Sequence, residues 1–104
     1  DRDYYQQIDY LPEFLYEAYG AESVVYLERV LRESDSPAVR FSCTQALLRA
    51  DHPEAWKSAV KEIENNGAYK DQLLTAVHVL HPQNTADETA ILTLARQRAL
   101  RPVP

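Results

Sequence analysis

A chain of 104 residues with 45% hydrophobic and 26% charged side chains reads as one soluble globular domain, able to bury a core without staples. A single cysteine excludes an internal disulfide and thiolate-based zinc sites, and no apolar run approaches the roughly 20 residues of a membrane span. The net charge of −5 argues against nucleic acid as the main partner.

Strand signals are absent: there is no alternating run and no Asn-Gly hairpin turn. Helical periodicity instead predicts six helices, near 4–19, 21–34, 37–50, 53–66, 69–81 and 86–100. The first contains Pro12, which should kink or break it near Leu11. Its apolar face is Leu11, Phe14, Leu15 and Ala18. Gly20 and Gly67 follow helix-like stretches, where a left-handed C-terminal cap favours glycine. The second helix carries Val24, Leu27 and Leu31.

The third helix opens on Ser36-Pro37. Serine is a good N-cap, and proline at the first helical position loses no needed N–H. Its stripe is Val39, Cys43, Ala46, Leu47 and Ala50. The fourth opens after Asp51-His52-Pro53 and carries Trp56, Ala59, Val60 and Ile63. The fifth carries Tyr69, Leu73, Ala76, Val77 and Leu80, the stripe of the third helix shifted by 30 positions. Pro82 ends it, and Gln83-Asn84-Thr85 reads as a loop. The sixth carries Ala90, Ile91, Leu94 and Ala95.

A helix pair thus recurs every 30 to 32 residues, a period that signals a helical solenoid. The expected fold is all-α: one domain over 1–104, a short right-handed α-solenoid of about three antiparallel pairs, 4–34, 35–66 and 67–100. A plain six-helix bundle is the competing reading. Residues 35–55 sharpen the solenoid. Asp35, Val39-Arg40, Ala46-Leu47 and Asp51-His52-Pro53-Glu54-Ala55 occur in order. This segment resembles a HEAT-like repeat of the phycobilisome-lyase type, with an Asp-containing turn, "VR" in the first helix and "D-P-E-A" opening the second. The likeness covers about 30 residues; His52 is inserted, the third pair has Lys70-Asp71 in place of "VR", and the first pair lacks both motif halves. The resemblance implies a stackable unit used mostly for protein binding. Arg40, one turn from Asp35, can reach the Asp35 carboxylate or loop carbonyls and pin the stacking angle, with a solvated arginine as the alternative.

Little in the chain suggests catalysis, and no cofactor is expected. His78 and His81 share a helical face but have no acid at a helpful spacing; His81, ahead of Pro82, suits a cationic role at a helix C-terminus. Cys43 lies on an apolar stripe and reads as core. No phosphate-cradling glycine loop is present.

Residues 1–35 hold nine acids against Arg2, Arg29 and Arg32, together with six of the seven tyrosines. Tyrosine offers large, stiff contact area, so Tyr4, Tyr5 and Tyr10 are candidate partner contacts or a cap on the end of the stack. On the second helix of each pair, the outward positions Tyr26, Arg29, Glu33, Lys57, Lys61 and Arg96 form a charged strip suited to another protein. The expected function is therefore a non-catalytic protein–protein scaffold. The alternatives are a toxin-neutralising immunity protein, using its acidic tyrosine-rich end, and a lyase-type subunit completed by a partner chain. The start at Asp1 and the lack of methionine suggest a processed or excised chain, and with no signal segment in view a cytoplasmic setting is expected.

Overall fold

The computed structural model describes residues 12–102, and among them every regular element is a helix. Residues 12–19 form α1. A 3-10 turn at Gly20–Ser23 leads into α2 (Val24–Glu33), followed by α3 (Pro37–Arg49), α4 (Pro53–Glu64) and α5 (Lys70–Leu80). A second 3-10 turn, Pro82–Asn84, precedes α6 (Glu88–Ala99). The all-α class is the one expected. No helix among the described residues is long and apolar enough to cross a membrane. The expected break at Leu11, and Tyr4, Tyr5 and Tyr10, lie outside the described residues.

The chain divides into two compact units, Asp1–Ala50 and Asp51–Pro104. In the first, Gly20 takes φ +56° after α1, a backbone angle that glycine adopts without a Cβ penalty. The Ser23 hydroxyl donates to the Gly20 carbonyl at 2.7 Å and closes the turn. Between α2 and α3 the Ser34 hydroxyl accepts from the Ser36 N–H, and the Ser36 hydroxyl accepts from the Val39 N–H at 3.3 Å. With Pro37 at the first helical position, this is the N-cap that the sequence signals. α2 packs on α3. Leu27 and Leu31 are buried on α2, and Cys43, Ala46 and Leu47 on α3. Phe14 is a correction: it is 65% exposed, while Leu15 is partly buried. Adjacent helix positions point about 100° apart, and on α1 it is Leu15 that turns away from solvent; Ala18, expected on the same stripe, is exposed as well.

In the second unit α4 packs chiefly on α6, with α5 against both. Trp56, Ala59 and Ile63 of α4, Leu73 and Val77 of α5, and Ile91 and Ala95 of α6 are buried. Leu80, expected in the core, lies at the surface on the last turn of α5. The N-cap of α4 is His52, whose Nδ1 accepts from the Glu54 N–H at 3.1 Å. Asp87 caps α6, accepting from the Ala90 N–H at 2.8 Å. At the end of α4 the left-handed residue is Asn66, φ +52°, and not the expected Gly67. Gly67 supplies room instead: a Cβ there would overlap the Glu62 carboxylate, the end of a flexible side chain that folds back to accept the Tyr69 N–H at 3.0 Å.

Candidate functional site

The α4 sequence places Lys57, Val60, Lys61 and Glu64 at i, i+3, i+4 and i+7, one face of the helix. That face meets the last turn of α6 in an open groove of about 500 Å³, completed by Asn65, Arg96, Ala99 and Leu100. Its surface is mainly apolar, from Val60, Ala99 and Leu100, with charged groups set around it. Leu100 is 86% exposed and forms part of this apolar lining. Arg96 pairs with Glu64 at 2.9 Å and Lys57 with Glu54 at 3.3 Å, both near solvent. Lys61 has no ion-pair partner among the described residues. Three of the residues expected on the charged strip, Lys57, Lys61 and Arg96, are thus brought together.

The wall formed by α6 is fixed by a cluster that sequence reasoning missed. Asp51, the first residue of the second unit, takes a left-handed backbone angle, φ +56°. Its Oδ2 accepts from Arg98 at 2.7 Å, and its Oδ1 accepts from Arg101 at 2.6 Å and from the Trp56 indole N–H at 2.7 Å. Arg98 also lies over the Trp56 ring, 5.7 Å from its centroid, a cation–π arrangement. Burial pushes the Asp51 carboxyl up, but hydrogen bonds from Arg101, Arg98 and Trp56 outweigh it and hold the pKa below the ordinary 3.8. Because His52 takes the N-cap, the Asp51 side chain is left for these longer-range bonds.

His81 packs against Trp56 with ring centroids 5.6 Å apart. Burial, and then the nearby Arg98 cation, lower its pKa below 6.5, against an opposing pull from Asp51. The expected cationic role at the end of α5 is therefore corrected: this site disfavours the imidazolium. His78 Nδ1 lies 2.8 Å from the Thr85 hydroxyl and 2.9 Å from its carbonyl. The Thr85 hydroxyl donates its proton to the His81 carbonyl, so both Thr85 oxygens face His78 as acceptors and Nδ1 carries the hydrogen. The two histidines are thus tied through a buried threonine. Among the described residues no group of three or more His, Cys, Asp or Glu side chains could hold a metal. Burial pushes the Cys43 thiol up to about 11.

Tyr26, Arg29 and Glu33 belong to the first unit, and all three are exposed on α2. Tyr26 lines a second groove of about 480 Å³ with Leu15, Tyr19, Glu22 and Ser23. In the same unit, Arg49 reaches Glu13 at 3.2 Å and Glu17 at 3.5 Å, and lies over the Tyr16 ring. Burial raises the Glu13 pKa despite the Arg49 hydrogen bond. Asp35 and Arg40 are both exposed, and among the described residues the carboxylate that gathers arginines is Asp51.

The chain matches no protein-family model, and it has no significant match among curated proteins or solved structures.

Proposed function

We propose that the chain is a non-catalytic helical scaffold that binds another protein through the α4–α6 groove. One observation carries the reading: Lys57, Lys61 and Arg96 converge around an apolar surface that includes the highly exposed Leu100. Interfaces commonly combine an apolar centre with a polar rim, and the groove has that composition. The HEAT-like order of three right-handed antiparallel helix pairs, and the cytoplasmic setting, belong to the same proposal. A second reading, an immunity protein that occludes a basic toxin site, draws support from the groove of Tyr19, Glu22 and Tyr26 on an acidic unit.

Site-specific photo-crosslinking separates the two. A photoreactive residue in place of Leu100 should give a discrete protein adduct in extracts of the source cells. Excess unlabelled chain should compete it away. Adducts formed only from position 26 would favour the second reading, and the absence of competable adducts at both positions would sink both.

A further inference from the structure

Resting on that reading, we infer that the α4–α6 groove receives an acidic peptide segment that carries apolar anchor residues. The charges lining the groove point this way. Lys57, Lys61 and Arg96 stand against one acid, Glu64, which Arg96 already engages. The whole chain has net charge −5, so the groove is a locally positive surface on an acidic molecule. Lys61 has no ion-pair partner among the described residues, and the Lys57–Glu54 pair at 3.3 Å is largely exposed. Any partner that covers the groove strips water from these two ammonium groups. A basic or neutral partner would leave Lys61 desolvated and unpaired and Lys57 with Glu54 alone, which is costly; carboxylates would satisfy both.

The apolar part of the lining sets the second requirement. Val60, Ala99 and Leu100 offer no hydrogen-bond donors from their side chains, so the middle of the ligand must be apolar. A cavity of about 500 Å³ admits a few side chains of a docked segment. These two features disfavour a nucleic acid. Phosphodiester backbones need a long cationic track, and a polyanion is repelled by the rest of this molecule. An anionic membrane fits poorly as well, because its surface is flat and the charges here border a concavity. An amphipathic acidic helix or strand meets both requirements: glutamates reach Lys57 and Lys61, and leucine-type side chains lie against Leu100 and Val60.

The test uses the full chain and a fluorescein-labelled synthetic peptide of about 14 residues, roughly four helical turns, with leucines on one face and glutamates elsewhere. A second peptide carries lysines in place of the glutamates. Fluorescence anisotropy at low ionic strength should give at least about tenfold tighter binding of the acidic peptide. The double variant Lys57→Glu, Lys61→Glu should lose that preference or invert it while keeping its helical circular dichroism. Leu100→Ala, at an exposed position that should not unfold the chain, should weaken the acidic complex. If both peptides bind equally and both depend on Leu100, the acidic assignment fails while the groove still stands as a protein-binding site. If neither peptide binds, the inference is wrong. Binding of a duplex oligonucleotide or of phosphatidylserine vesicles in place of the peptide, with the same lysine dependence, would also overturn it.

Discussion

Replacing Asp51 removes three interactions and tests a backbone angle in one step. Its carboxylate holds Arg98, Arg101 and the Trp56 indole N–H, and its φ is +56°. The two arginine pairs are partly exposed, with Asp51 itself 38% accessible, so each contributes only about 0.5–1 kcal/mol after solvent screening. The indole N–H belongs to a fully buried tryptophan, and leaving it without an acceptor costs about 1–3 kcal/mol. Alanine at a left-handed angle adds about 1 kcal/mol of strain that aspartate and asparagine partly avoid. Asp51→Ala should therefore destabilise by about 3–6 kcal/mol. Asp51→Asn keeps the turn and an oxygen for the indole, and should lose about 1–2 kcal/mol. Asp51→Gly relieves the strain alone and should fall between them. Trp56 is the only tryptophan, so its emission during urea unfolding reports on this cluster directly. Because the folded pKa of Asp51 lies below 3.8, its contribution is fully present above that value. It is lost as pH falls through the lower folded value, and the gap between wild type and Asp51→Asn should close under those acid conditions. An Asp51→Ala protein within about 0.5 kcal/mol of wild type at pH 7 would refute the account of the cluster.

Two further outcomes are expected. With its thiol pushed up to about 11 and its side chain buried, Cys43 should resist a soluble disulfide reagent at pH 8 and react only as the chain unfolds; rapid labelling of folded protein would place it at the surface. The lowered His81 pKa makes the folded state the weaker proton binder, so stability present above pH 6.5 should decline as pH falls through the lower folded value. His81→Gln should flatten that decline in paired melting curves at pH 7 and pH 5, and an unchanged slope would assign it to other groups.

The features legible in the sequence are those decided within one or two helical turns. Ser36-Pro37 marks the start of α3, and Pro53 the start of α4, because caps and proline act locally. The burial of Leu47 and Trp56 follows from periodicity alone. Lys57 and Lys61 are legible as an outward pair on one helix, and their meeting with Arg96 depends on α6 packing beside α4. The bonds from Arg98 and Arg101 to Asp51 span 47 and 50 positions, and no local pattern encodes such a distance. The α4 cap is legible as well: His52 directly precedes Pro53, so the cap position falls on histidine and not on Asp51 one residue earlier. Phe14 illustrates the opposite failure, since hydrophobicity alone does not reveal which of two adjacent apolar side chains turns inward.

The two glycines divide the reasons for which evolution retains that residue. At Gly20 the constraint is an angle: a Cβ there would meet nothing within 4 Å, but the backbone is left-handed. Asparagine and aspartate tolerate that angle, as Asn66 and Asp51 do in this same chain, so position 20 is free to drift among the three. At Gly67 the constraint is room. A Cβ there would meet only the Glu62 carboxylate, the far end of a flexible side chain, so a substitution requires that carboxylate to swing away and give up its bond to the Tyr69 N–H. Diverging descendants of this sequence should therefore show a mixed column at 20, and at 67 replacements that give up the Glu62 bond to the Tyr69 N–H.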